Sequence, residues 1–207
     1  SYEPSQVKVL NAKIYELLTA KDSVTVKIRT PSGTDLTVDV SRKLHWINQD
    51  ADMSVANETH SLLAGEVYGC PDNINGIAVI DGVLGGIFQE YGVLEDNPLH
   101  VIIKDGFVTQ VSCDDMNLRN QFFKYITSFE NGTRIGELGF GTNVSLKKFY
   151  GIIGIDEKYP GNHIAFGDSY SKKTGADWSS DIHIDGVMQN CSTWIEDVQI
   201  LKDGKYL

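Results

Sequence analysis

The sequence has few cysteines and no long apolar run. Its three cysteines, Cys70, Cys113 and Cys191, lie far apart and form no CxxC pair, which argues against a disulfide framework and against a cysteine-type zinc site. No apolar stretch approaches the roughly 18 residues that a membrane-spanning helix needs, and the first residues do not resemble a signal peptide. These absences predict a soluble, cytoplasmic protein that does not act at a membrane.

Positive charge is also scarce, because 18 lysines and arginines face 28 aspartates and glutamates and give a formal net charge of −10. Such a surface repels a phosphate backbone, so a nucleic-acid partner is not expected. The sequence also lacks a GxSxG nucleophile elbow, a Walker motif and a GxGxxG loop between a strand and a helix. Serine-hydrolase chemistry of the elbow type and the common nucleotide-binding folds are therefore not expected.

Hydrophobic periodicity predicts a strand-rich α+β fold with few helices and a mixed or antiparallel sheet. Apolar spacings of three and four predict helices, and alternation around tight turns predicts hairpins. The helices are expected at 4–21 and 115–129, and the hairpins at 24–40, at 99–112 and around Asp203-Gly204. The run 171–175 is expected to be a solvated loop. With no repeat or linker, residues 1–207 are predicted to form one domain.

The strongest chemical pattern is Asp181-Ile-His-Ile-Asp185. In a strand, alternate residues share a face, so Asp181, His183 and Asp185 are expected to project together while Ile182 and Ile184 enter a core. Imidazole and carboxylate on one rigid face suit a divalent cation such as zinc, cobalt, manganese or iron. A solvent-facing polar strip on an antiparallel sheet would have the same pattern.

Three further segments place single polar groups among glycines and apolar residues. His163 shares a predicted strand face with Ala165 and Gly167, which leaves room beside the imidazole. Glu66 and Glu137 lie in Gly-flanked apolar stretches, where a buried carboxylate needs a cation or a salt partner; exposed Gly-rich turns are the alternative. Taken together, these segments offer enough ligands for two metal ions. Tyr170, close after His163, is either a packed aromatic or a hydroxyl at the site edge. His45, His60 and His100 show no such pattern and are expected to be surface or capping residues.

Five segments in succession carry a resemblance to a known family: SGTDL (32–36), AGEVYGCP (64–71), GELGFGTN (136–143), DEKYPGNHIAFGDSY (156–170) and HID (183–185). In order and relative spacing, the chain resembles the catalytic C-terminal domain of the thermophilic-type metalloaminopeptidases, the family of aminopeptidases T and S. The separate α/β domain with which family members begin is absent from residues 1–207. The resemblance implies a pair of divalent metals, zinc or cobalt and also manganese or iron, held by Glu66, Glu137, His163, Tyr170, His183 and Asp185.

The same resemblance implies a metal-dependent hydrolase that cleaves an amide bond next to a free amino terminus. Glu66, Glu137 and Tyr170 are the candidate catalytic groups, with either glutamate as the base. The substrate would be a peptide or an amino-acid amide, and the chain is expected to form a homodimer or to bind a partner that supplies the missing domain. Two alternatives remain at this point: a non-haem iron ring-cleaving dioxygenase using His163, His183 and Asp185, and a non-catalytic accessory domain on the same scaffold.

Overall fold

The computed structural model describes residues 4–50 and 64–207. In this part of the chain the α-helices are α1 (Pro4–Leu18), α2 (Met116–Thr127), α3 (Ile153–Asp156) and α4 (Ser171–Thr174), and one 3-10 helix covers Gly86–Tyr91. The strands in chain order are β1 (Ser23–Arg29), β2 (Asp35–Ser41), β3 (Trp46–Gln49), β4 (Glu66–Gly69), β5 (Asn73–Ile80), β6 (Leu99–Lys104), β7 (Phe107–Ser112), β8 (Ile135–Gly141), β9 (Gly161–Gly167), β10 (His183–Met188), β11 (Ser192–Ile195), β12 (Val198–Lys202) and β13 (Lys205–Tyr206).

These strands form two antiparallel sheets. The larger sheet has eight strands in the order β13-β12-β11-β1-β2-β5-β6-β7, and the smaller has five in the order β10-β9-β8-β4-β3. One apolar core contains buried side chains from both sheets and from α1 and α2. All residues of β4, β8 and β9 are buried, so polar side chains on these strands are shielded from water.

Helix α2 begins where the sequence pattern places it, because the Asp115 carboxylate accepts hydrogen bonds from the backbone amides of Asn117 and Leu118. Such a cap satisfies N–H groups that otherwise lack partners in the first turn. Its apolar face includes Phe122, whose ring lies edge-on to Phe166 of β9 with 5.0 Å between the centroids. The helix thereby packs against the strand that carries His163.

The strand-rich α+β fold predicted from the sequence is confirmed, as are both long helices and the hairpins β1–β2 and β6–β7. Two details differ. The predicted last hairpin is a three-stranded meander, because a turn at Glu196 and Asp197 separates β11 from β12. Residues 171–174 form a helical turn rather than a solvated loop, since the Thr174 hydroxyl is buried and donates to the Ser169 carbonyl.

No helix in the described parts of the chain is long and apolar enough to cross a membrane. Of the three unpatterned histidines, His45 is exposed, as predicted for a surface residue, whereas His100, the second residue of β6, is half-buried. His60 lies outside the described residues.

Candidate metal centre

The register of the smaller sheet brings four polar side chains onto one face. Glu137 of β8, Ala165 of β9 and Asp185 of β10 lie side by side across three neighbouring strands. Because alternate residues share a face, His163 and His183 belong to the same face. The opposite face of these strands carries the core residues Leu138, Phe140, Ile164, Phe166 and Ile184.

Two small residues provide the space for these groups. Ala165 separates Glu137 from Asp185, so no large side chain lies between the two carboxylates. Gly139 lies directly opposite His163, and a Cβ atom at Gly139 would lie only 2.0 Å from Nε2 of the imidazole. The imidazole ring therefore occupies the place that a side chain at residue 139 would take.

A β-bulge at Gly136 directs Glu137 onto this face. The register shifts between Ile135 and Glu137, with Ile135 opposite Phe166 and Glu137 opposite Ala165. In a regular strand, residues 135 and 137 would share a face, but the extra residue leaves Ile135 in the core and turns the carboxylate toward the site. A Cβ atom at Gly136 would lie 2.3 Å from the carbonyl oxygens of both Gly167 and Asp168, so this bulge requires glycine.

The side chains on this face contact one another closely. Nε2 of His163 lies 3.0 Å from Glu137 Oε1 and 3.8 Å from Glu66 Oε2. Nε2 of His183 lies 3.2 Å from Asp185 Oδ1 and 3.8 Å from Glu137 Oε2. Glu137 therefore connects both imidazoles, and the structure brings together five of the six residues predicted as ligands.

These contacts favour the protonated, positively charged form of both histidines. Burial alone would lower the pKa of His163, but the hydrogen bond to Glu137 and the charges of Glu137 and Glu66 outweigh it and raise that pKa to about 9. Burial likewise opposes charging of His183, whereas its hydrogen bond to Asp185 raises the pKa to about 9. Burial also disfavours the charged form of Asp185, but the His183 contact outweighs it and lowers the pKa of the carboxyl. Protonated imidazoles thus balance part of the negative charge.

Glu66 has a different environment from the other carboxylates. Burial raises its pKa to about 7, and the neighbouring Lys158 ammonium opposes that rise. Nζ of Lys158 lies 3.4 Å from Glu66 Oε1 and 2.5 Å from Glu157 Oε1. Only Oε1 of Glu66 contacts the lysine, and Oε2 faces His163.

Tyr170, the sixth predicted ligand, lies at the edge of the site. It follows β9 with a left-handed backbone φ of 49°, and its ring packs against the His183 imidazole with 4.4 Å between centroids. Burial and the charge of Glu137 raise the pKa of its hydroxyl. The ring orients His183 by direct contact, and Tyr170 as a residue remains 36% exposed.

A cavity of about 190 Å³ opens onto these groups. Its walls include side chains that the sequence patterns did not single out: Gln49, Tyr68, Glu157, Lys158 and Lys173. For Lys158 there was a signal, since it is the basic residue in the segment that leads into the His163 strand. Lys173 was not recognised as a cavity residue because residues 171–175 were interpreted as a solvated loop. Asp181, which was expected to project with His183 and Asp185, precedes β10, is exposed and does not line the cavity.

The residues present fit a divalent cation. Glu137, His163 and Asp185 each offer one ligand atom, and these atoms lie within 4.8 Å of one another. Nε2 of His163 faces the carboxylates of Glu137 and Glu66 and is the ring nitrogen placed to serve as a ligand; its buried Nδ1 has no hydrogen-bond partner in the described structure. Mixed imidazole and carboxylate donors suit zinc, cobalt, manganese and iron.

Comparison with known proteins places the chain in a family. The model of the thermophilic metalloprotease family (M29) matches residues 5–205. The chain belongs to the M29 thermophilic metalloproteases. The relationship to the aminopeptidase T family predicted from the sequence segments is thereby confirmed. No curated protein matches the sequence.

Two solved structures share the fold. AmpT from Thermus thermophilus matches with a TM-score of 0.70 and 16% identity, over 98% of this M29 chain and 52% of the AmpT chain. A 2,5-dihydroxypyridine dioxygenase from Pseudomonas putida matches with a TM-score of 0.75 and 17% identity, over 98% of this chain and 59% of the dioxygenase chain. The chain thus spans little more than half the length of either protein, and at these identities the likeness establishes the fold alone.

Proposed function

We propose that this chain is the catalytic part of a metal-dependent aminopeptidase, which hydrolyses the amide bond next to a free amino terminus. The observation that carries the proposal is the buried face on which Glu66, Glu137, His163, His183 and Asp185 converge beside a cavity. Membership of the M29 family adds the expectation of a protease. Acidic groups at the bottom of a small cavity also complement the positive charge of a peptide amino terminus.

In this proposal Glu66, Glu137, His163, Tyr170, His183 and Asp185 hold two divalent cations, zinc or cobalt, with manganese or iron as substitutes. Bound divalent cations lower the pKa of a coordinated water and polarise the scissile carbonyl. Glu137 would contribute to holding the ions together with both histidines, since its two oxygens face different imidazoles. The backbone carbonyl of Asp168, 2.9 Å from Nδ1, orients the His183 ring and leaves Nε2, on the Asp185 side, available as a ligand.

The proton that leaves the attacking water needs an acceptor, and one of the two glutamates, Glu66 or Glu137, takes it. Glu66 is supported because Lys158 contacts its Oε1, which leaves Oε2 on the site side, 3.8 Å from His163 Nε2. Tyr170 contributes a hydroxyl at the edge of the cavity and keeps the His183 ring in place.

A second candidate is a mononuclear iron oxygenase. His163, His183 and Asp185 form the two-histidine, one-carboxylate set typical of non-haem iron enzymes, and the dioxygenase structure shares the fold. Against it, one ion leaves the buried carboxylates of Glu66 and Glu137 with less compensating charge than two ions do. A non-catalytic accessory role is the outcome in which no metal binds.

The substrate in this proposal is a short peptide or an amino-acid amide. The single-domain organisation of residues 1–207, the homodimer or domain-supplying partner, and the cytoplasmic location stay predictions. Light scattering at tens of micromolar protein measures the oligomeric state directly, and a strict monomer would contradict the predicted homodimer.

The test combines metal content with turnover. After saturation with zinc or cobalt and removal of free metal, elemental analysis should give about two ions per chain, and aminoacyl anilides should be cleaved. Asp185→Ala and His183→Ala should each lose metal and at least a hundredfold in turnover, because deleting a ligand removes the activated water. Asp181→Ala is the matched control, since Asp181 is exposed and lies just before the same strand. One iron per chain with no peptide cleavage would favour the oxygenase, and wild-type protein without metal would favour the accessory role.

A further inference from the structure

Besides Lys158, a second positively charged side chain, Lys173, lines the cavity, and it lies at the rim rather than at the bottom. Lys173 belongs to the short helix α4 and is exposed. Its Nζ donates a hydrogen bond of 3.2 Å to the hydroxyl of Tyr68 and lies 5.9 Å and 5.5 Å from the ring centroids of Tyr68 and Tyr170. Two aromatic walls of the cavity therefore hold the ammonium in place.

Lys173 differs from Lys158, the other lysine of the cavity, in its partners. Lys158 is buried and neutralised by the carboxylates of Glu66 and Glu157. Within residues 4–50 and 64–207, no carboxylate forms an ion pair with Lys173, and its hydrogen bond goes to a neutral phenol. An ammonium has three donors, so Lys173 retains donors and charge for a ligand.

The two ends of the cavity thus carry opposite charge. The bottom contains the carboxylates of Glu66, Glu137 and Asp185, whereas the rim presents the unpaired ammonium of Lys173. A volume of about 190 Å³ lies below the roughly 300 to 1,000 Å³ of pockets for drug-sized ligands. A very short peptide, with an amine at one end and a carboxylate at the other, matches both the size and the charges.

We propose that Lys173 binds the carboxylate of a very short peptide substrate, so that the protein prefers dipeptides with a free carboxyl terminus over uncharged aminoacyl amides. This inference rests on the proposed function, because it places the peptide amine at the bottom of the cavity. The carboxylate accepts a hydrogen bond from Nζ while Tyr68 and Tyr170 fix the lysine side chain. No covalent change at Lys173 is involved.

The experiment compares alanylalanine with alanylalanine amide on zinc-loaded protein, since the two peptides share the scissile bond and differ in the terminal charge. The wild-type protein should prefer the acid by about tenfold in kcat/KM, as expected for one charge-assisted hydrogen bond. Lys173→Gln should reduce this preference to about twofold or less, with most of the loss in cleavage of the acid rather than of the amide. Lys173→Arg should restore most of the preference, because it keeps the charge.

Lys172→Gln is the control, because Lys172 is an exposed lysine on the same helical turn that does not line the cavity. A comparison of cleavage of alanylglutamate amide and alanylglutamine amide then shows whether Lys173 also binds an acidic side chain of the substrate. An equal loss of preference in Lys172→Gln, or an unchanged preference in Lys173→Gln, would overturn the proposal. If wild-type protein cleaves no peptide, the aminopeptidase function fails, and calorimetric affinities for the same peptides and variants still decide whether Lys173 binds a carboxylate.

Discussion

Replacing Gly139 by alanine tests whether the His163 imidazole needs the space above the β8 backbone. The new Cβ atom would lie 2.0 Å from Nε2 and 2.1 Å from Cε1 of that ring. Carbon atoms in contact lie roughly 3.5 to 4.0 Å apart, so the ring must move by about 1.5 Å or the paired strands must separate. Both strands are buried along their whole length, which leaves little room for relaxation.

The expected cost has two parts. Overpacking a buried site lowers the free energy of unfolding by about 1 to 3 kcal/mol. Moving the imidazole by more than 1 Å also removes it from the position in which its Nε2 lies 3.0 Å from Glu137. Disturbing the orientation of a metal ligand typically reduces metal affinity about 10- to 100-fold, and we expect a loss of that size for zinc.

Urea denaturation in chelator measures the first part, and competition with a zinc indicator measures the second. Gly154→Ala is the matched control, because a Cβ at Gly154 meets no atom within 4 Å and alanine favours the helix in which it lies. The reasoning would be refuted if Gly139→Ala bound zinc within twofold of the wild type while the protein remained folded.

Three further predictions concern charge and local structure. Without metal, the pKa values of His163 and His183 are raised to about 9 each, so the protonated imidazoles stabilise the fold fully below roughly pH 6.5 and lose this effect as the pH rises through 9. Urea midpoints measured in chelator should therefore fall across that window, while zinc affinity rises as the imidazoles lose their protons. Urea midpoints that do not change with pH would contradict these pKa shifts. Lys158→Met leaves the carboxylates of Glu66 and Glu157 without their cation, which should lower the free energy of unfolding by about 3 kcal/mol, and added zinc should recover part of it; a loss within 0.5 kcal/mol, the usual size of surface effects, would show that the pair is dispensable. Asp115→Ala should cost about 1 kcal/mol by removing the cap of α2, measured in the same denaturation assay, with zinc affinity unchanged; altered affinity would mean that α2 and the site are coupled.

The alternation of polar and apolar residues was sufficient to place His183 and Asp185 on one strand face, because strand geometry alone determines which neighbours share a face. The same argument on β8 would place Ile135 and Glu137 together. The register shift at Gly136 separates them, and this bulge depends on the carbonyl groups of Gly167 and Asp168, which only the folded chain brings there. Glu137 was singled out by its Gly-flanked apolar setting and by the family resemblance, and not by strand periodicity.

The cavity walls were the least predictable part. Lys158 and Lys173 reach the site from segments between strands, and their contacts with Glu66 and Tyr68 join residues 92 and 105 positions apart. Such separations leave no local pattern, because the partners meet only after β3, β4, β8 and β9 have paired. The tight helical turn at 171–174 likewise depends on burial of the Thr174 hydroxyl.

The pairing order of the smaller sheet also determines when the site can exist during folding. Glu66 on β4 pairs with Gly141 of β8, 75 residues later in the chain, and Asp185 enters last, on β10. The conformational entropy of loops of this length is lost before the strand contacts contribute any stability. A fold built on such long-range pairings therefore assembles slowly. A growing chain on the ribosome would have no complete ligand set until residue 185 had emerged. Acquisition of a metal ion would therefore be a late event that reports completion of the whole sheet.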